Sequence, residues 1–372
     1  MAMMLRPPLT SVGPVLQNIE ASYGLVGFQV SLLTSLPVLC FGLGAFAGPW
    51  VIQRFGLTRS FTLIFTLMTA AIALRPWFGF GFMLALSLLI GVAIALSNVL
   101  FPTLIRTEFP DSVPKMTAFY TLILPVFASL GAAISVPLLL GFADWRPALA
   151  VWAVPGLMAV LVWQIANRQV SSVSSGPALE LHSSSEVWRS PVTWGIVGFF
   201  GLQSVGFYAV INWLPGILMA QGYSQAEAGS LVGFTTIIGV PFGFAVTSNL
   251  KRFKSQNLLI VAISLLTTIG FAILLAGHNF AVLAGVFIGI GMSCSFPVAL
   301  ALIGLKAHTP QTTTLLSAIA QGFGYLIAAL GTFMVGQVHD WTGTWIASIC
   351  LLVAISLAQI LAGVLANSRE SL

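Results

Sequence analysis

Charge is what this chain has least of. Only 6% of its 372 residues are Asp, Glu, Lys or Arg, against 58% hydrophobic, and the mean hydropathy is +1.01. So little polar surface cannot coat a soluble fold of this size, which makes lipid the expected solvent and the bilayer a partner. Cysteine is scarce too. Cys40, Cys294 and Cys350 fall within apolar runs, at spacings that make neither a disulfide framework nor a metal or redox motif. The acidic residues are Glu20, Glu108, Asp111, Asp144, Glu180, Glu186, Glu227, Asp340 and Glu370, and each lies in a polar segment or at the edge of an apolar one. His182, His278, His308 and His339 are placed likewise. No catalytic triad, Cys/His pair or paired carboxylate can therefore assemble inside a bilayer, and neither an enzyme nor a metal or other cofactor is expected. The same scarcity removes the Asp, Glu or His that usually relays protons across a membrane.

Long apolar runs are abundant. A helix needs about 20 apolar residues to cross a hydrocarbon core of roughly 30 Å. Eleven such spans are predicted, at Phe28–Ile52, Ser60–Phe78, Phe82–Ile105, Val113–Leu140, Arg146–Ala166, Pro191–Met219, Ser224–Leu250, Asn257–Ala276, Phe280–Leu305, Gln311–Val338 and Thr344–Ala366. A fragment of a further span precedes them. The net charge of +5 points to topology rather than to nucleic acid. If the first span starts inside, then Arg54, Arg59, Arg106, Lys115, Arg168, Arg189, Lys251, Arg252, Lys254, Lys306 and Arg369 all fall on cytoplasmic ends, and only Arg75 and Arg146 fall outside. That pattern predicts an inner-membrane, multi-pass protein with both termini cytoplasmic. Arg6, Pro7 and Pro8 interrupt the stretch where the apolar core of a cleavable signal would lie.

The only long polar segment splits the chain into 1–168, a cytoplasmic loop over 169–190, and 191–372. The halves echo each other at a near-constant offset. Arg54-Phe55 returns as Arg252-Phe253, Gly91 as Gly289, Ser31-Leu32 as Ser230-Leu231, and Asp144-Trp145 as Asp340-Trp341. Two six-helix bundles related by a pseudo-two-fold axis along the membrane normal account for this, giving an all-α polytopic membrane protein. Pro215 pairs with Pro14 in the same alignment, so the first helix is expected to be N-terminally shortened and Arg6 to lie near the bilayer midplane. The loop over 169–190 is too short for the soluble output domain that a membrane sensor would carry.

An arginine at the bilayer centre costs roughly 2.5–3.5 kcal/mol on insertion scales, so it persists facing a cavity or a partner. Lacking a carboxylate of its own, Arg6 is the expected contact for an anionic solute. The alternative is that it bonds carbonyls released where Pro7 and Pro8 break the helix. Asn98, Phe207, Tyr208, Asn212, Trp213, Ser295, Gln321 and Tyr325 sit mid-span and are candidates to line a cavity, and Tyr120 is a candidate gate or packing residue. Each polar one could instead bond two helices together. Gly42, Gly44, Gly48, Gly285 and Gly289 suit close helix packing. A phosphate-cradling role would need a strand-to-helix turn that a span does not offer.

The segment LRPPLTSVGPVL from Leu5 to Leu16 resembles the first-helix signature of the cyanate permease branch of the major facilitator superfamily, which includes a 2-nitroimidazole exporter. The resemblance runs on through LLTSLPVL at Leu32, RFGLTR at Arg54, SNVLFPTLIRTEFP at Ser97 and WRPALAVWAVP at Trp145. In the second half it covers INWLP at Ile211, GIGMSCSFPVAL at Gly289 and AIAQGFGYLIA at Ala318. It implies a twelve-helix carrier whose cavity contacts are Arg6, Asn98, Asn212, Trp213 and Gln321; a small-molecule substrate and a monomeric carrier are expected. It also departs from the superfamily, since no acidic residue precedes Arg54 in the loop after the second span.

Overall fold

The computed structural model describes residues 1–25, 29, 33, 39–167, 181–253 and 255–368. Outside them lie Phe28, most of LLTSLPVL, Ser31-Leu32, Arg168 and the loop to Glu180, Lys254, Arg369 and Glu370. Among the described residues, ten helices are long and apolar enough to span a membrane, and they coincide with the last ten predicted spans. The remaining one, Phe28–Ile52, is helical over residues 39–45 and from Gly48 onwards. The helices are α1 (Pro7–Thr10), α2 (Leu16–Tyr23), α3 (Gly48–Phe55), α4 (Leu57–Leu74), α5 (Phe80–Glu108), α6 (Val113–Phe142), α7 (Trp145–Ala150) and α8 (Ala153–Asn167). After the central segment come α9 (Leu181–Arg189), α10 (Pro191–Ala220), α11 (Gln225–Ile238), α12 (Val240–Ser248), α13 (Gln256–Ile273), α14 (Ala281–Lys306), α15 (Pro310–Thr342) and α16 (Trp345–Ala366). The polar stretch predicted as loop therefore contains a helix, α9.

Local chemistry fixes most starts. Ser190, Thr309 and Thr344 each cap a helix by accepting a backbone N–H, and proline occupies the first turn after Ser190 and Thr309, where its missing donor costs nothing. Ser224 and Glu227 form a reciprocal capping box at α11. Pro102, Pro125, Pro137, Pro215 and Pro297 lie inside long helices, which membrane packing tolerates because neighbours satisfy the freed carbonyls.

Two compact units result, Met1–Leu104 with Ile123–Glu180, and Ile105–Leu122 with Leu181–Leu372. In the first, Phe61 of α4 meets Phe101 of α5 edge-on at 5.3 Å and Trp163 of α8 at 5.5 Å. A Cβ at Gly44 would lie 2.9 Å from Ala95, and one at Gly48 would meet Val99, so these glycines let their segment seat against α5. In the second unit α10 packs along α15 and α16, and α14 along α13. A Cβ at Gly195 of α10 would lie 2.5 Å from the backbone nitrogen of Ala366, and Gly285 and Gly289 of α14 similarly admit Thr235 of α11. The stretch 105–122 is tied into this unit by Arg106, whose Nη1 donates to the Gly304 carbonyl at 3.0 Å at the C-terminal end of α14.

Candidate functional site

Arg6 sits at a deliberate break. Its φ of −116° starts α1 as the N-cap, Pro7 and Pro8 occupy the first turn, and α1 ends after four residues. The Arg6 carbonyl accepts the N–H groups of Leu9 and Thr10 at 3.0 and 3.1 Å. Val12 then donates to Leu9 rather than Pro8, which leaves the Pro8 carbonyl outside the ladder. Pro14, without an N–H, sustains the tightened turn. Gly131 of α6 receives this broken segment, since a Cβ there would strike Thr10 and lie 2.9 Å from the Pro7 Cα.

The break aims the Arg6 guanidinium over the ring of Phe41, 6.0 Å from its centroid, and leaves the side chain half-buried. Arg146 pairs with Asp144 at 3.5 Å, and none of the described carboxylates pairs with Arg6. The carbonyl freed by the break is taken instead by Arg75, whose Nη1 donates to Pro8 at 2.8 Å. Arg75, counted in the topological reading as an external end charge, is 1% exposed, a buried side chain at that helix end. It caps the C-terminus of α4 with helical dihedrals, and side chains at that end lean back over the preceding turn, into the protein. The clue in the sequence was its position as one of only two basic residues off the cytoplasmic pattern. Asn98, on α5, is buried as a mid-span polar group should be.

In the second unit the candidates separate by what they touch. Gln321 and Tyr325, one turn apart on α15, are both buried, and Tyr325 meets Phe200 of α10 edge-on at 5.2 Å. Gln203 and Ser204 follow on α10, buried and bonded to each other at 2.7 Å. They went unremarked in the sequence, although an adjacent amide and hydroxyl in the middle of an apolar run was the available signal. Phe207 and Tyr208 form an edge-on ring pair at 5.4 Å, with Phe207 40% exposed and Asn212 exposed one turn on. Tyr120 is buried beside Phe119, whose ring meets Phe244 at 5.1 Å.

Two candidates turn inward to the bundle. The Trp213 indole donates to the Thr332 carbonyl at 2.9 Å, covers Gly336 and stands 5.9 Å from Trp345, so its ring fills the seam between α10, α15 and α16. Ser295 is fully buried. Its hydroxyl donates to Gly291 at 2.8 Å and accepts from Gln359 at 3.2 Å, and Gln359 also reaches Ser264 at 3.1 Å. That network joins α13, α14 and α16, as a polar group bonding helices together would. His339, expected at the edge of a loop, lies in the last turn of α15 with its ring stacked on Trp345 at 3.7 Å.

A half-buried guanidinium backed by an aromatic face, with no described acid beside it, can accept a small anion or a planar polar ring, and it offers no group for acid-base or nucleophilic work. Residues 3–332 match the Major Facilitator Superfamily. The chain is 34% identical to a 2-nitroimidazole transporter of Escherichia coli strain K12, over 100% of its own length and 94% of that protein. It is 28% identical to the cyanate transport protein CynX of the same organism, over 92% and 88%. The solved structure of the proton:xylose symporter XylE superposes with a TM-score of 0.76 at 13% identity, over 97% of this chain and 92% of that one, a likeness of fold. This protein is a multi-pass membrane transporter belonging to the major facilitator superfamily.

Proposed function

We propose that this transporter carries a small monovalent anion, of the size of cyanate or a short carboxylate, across an inner membrane by alternating access of two six-helix bundles. Arg6 is the charge clamp. The observation that carries this reading is its half-buried guanidinium at the helix break, set over Phe41 and neutralised by none of the described carboxylates. An arginine kept in such surroundings draws its counter-charge from the solute. Asn98, Gln321 and Tyr325 supply the polar lining, Tyr208 and Asn212 a more open polar edge, and Tyr120 a gate. The bundles are residues 1–168 and 191–372, the termini are cytoplasmic, and a monomer is the working unit.

A second reading is efflux of a small neutral heterocycle. It is favoured by the ring pair of exposed Phe207 with half-buried Tyr208 and by the 2-nitroimidazole transporter among the relatives. There Arg6 would only orient a polar substituent, and the aromatic rings would dominate.

The deciding experiment is uptake into proteoliposomes across a panel of small anions and neutral heterocycles, with a pH gradient imposed or absent. Saturable uptake of a small anion, driven by its own gradient, supports the first reading. Flux confined to neutral heterocycles supports the second.

A further inference from the structure

Arg75 poses a problem of charge balance that transport by Arg6 does not solve. The residue is fully buried, and a guanidinium cannot shed its proton at any physiological pH. One of its three nitrogens, Nη1, is bonded to the Pro8 carbonyl. Nε and Nη2 have no hydrogen-bond partner among the described residues, and none of the described carboxylates pairs with them. Burying a full charge with two donors unmet costs several kcal/mol, and a main-chain carbonyl supplies only a partial negative charge. The geometry of what is left over is specific. Nε and Nη2 form the side-on edge of the guanidinium, two parallel N–H bonds spaced to match two oxygens of one planar anion or to pinch a single halide. Ser11 lies three residues beyond Pro8 in the chain, as the C-cap of α1. Its hydroxyl is also fully buried and lacks a partner among the described residues.

We infer that the Nε–Nη2 edge of Arg75 binds a small monovalent anion inside the first unit, a halide or a planar oxyanion such as nitrate or formate, distinct from the contact that Arg6 makes. The anion neutralises the buried cation while Nη1 keeps hold of Pro8. It thereby steadies the helix break from which Arg6 projects. The inference stands whichever solute is carried, because it concerns the counter-charge of Arg75.

Thermal unfolding of the purified full chain in detergent, at constant ionic strength, tests it. Gluconate, too large for the edge, is replaced stepwise by chloride, nitrate or formate. The wild type should gain stability and saturate, Arg6→Gln should keep a saturable response, and adding Arg75→Gln to Arg6→Gln should abolish it. Chloride acting alone would mark a halide site, and nitrate and formate acting more strongly would mark a planar oxyanion; either supports the inference. A wild type indifferent to all three anions overturns it, as does a response that disappears in Arg6→Gln alone or that survives in Arg6→Gln combined with Arg75→Gln. Should Arg75→Gln not fold, Arg75→Lys keeps the charge and a donor for Pro8 but lacks the two-pronged edge. Its half-saturating anion concentration should rise about tenfold or more, and an unchanged value overturns the inference.

Discussion

Alanine at Gly195 and alanine at Gly206 are the same chemical change on one helix, α10, and the structure assigns them opposite effects. Removing glycine from a helix interior is worth about 0.8–1.0 kcal/mol in favour of alanine. At Gly206 the new methyl would meet the Phe271 ring at 3.8 Å, an ordinary contact, so that gain is retained. At Gly195 it would lie 2.5 Å from the Ala366 nitrogen and 2.8 Å from the Leu365 carbonyl carbon. Both are backbone atoms of α16 and cannot rotate aside, so α10 and α16 must part along a contact that runs most of their length. Overpacking of this kind costs about 1–3 kcal/mol, which exceeds the propensity gain. Gly206→Ala should therefore melt at or slightly above the wild type, and Gly195→Ala several degrees below it, at about 2–4 °C per kcal/mol for a unit of this size. Thermal unfolding in detergent, followed by intrinsic fluorescence with helix content as a control, reads both. A Gly195→Ala protein as stable as the wild type, or a Gly206→Ala protein less stable than Gly195→Ala, would refute the packing argument.

Gln359→Leu keeps the side-chain volume while removing the bonds to Ser264 and Ser295, and should lower the melting temperature with the KM for the transported solute unchanged. The loss should be near 1 kcal/mol, since such bonds within membranes average about 0.6 kcal/mol each. Ser295→Ala should behave the same way, and a raised KM there would return Ser295 to the substrate path. For topology, a green fluorescent protein fused after Leu372 should glow and an alkaline phosphatase at the same point should stay inactive, as a cytoplasmic C-terminus requires; the reverse pair of results would invert the orientation.

The spans were readable because each is a run long enough to cross a bilayer. Side-chain direction was less accessible. Trp213 and Ser295 lie at mid-span like Gln321 and Tyr325, and depth along a helix does not tell a cavity from a neighbouring helix. That distinction needs the positions of α15 and α16 for Trp213, and of α13 and α16 for Ser295. The burial of Arg75 was hidden for a related reason. Counting charges by sequence position assigns a residue to the end of the helix it occupies, whereas a long side chain at a C-terminal end reaches back by a turn. The break at Arg6 was visible in Arg-Pro-Pro, but which cation would take the released carbonyl was not.

The claim at the centre is that Arg6 supplies the charge an anionic solute needs. The direct measurement is uptake of the best small anion into proteoliposomes by the wild type, Arg6→Lys and Arg6→Gln, with melting temperature as a control for folding. Losing a charge-assisted bond of about 1.5–3 kcal/mol predicts a KM for Arg6→Gln raised roughly 10- to 150-fold, partly recovered in Arg6→Lys, at unchanged stability. A folded Arg6→Gln protein that takes up the anion with wild-type KM and rate would contradict the account.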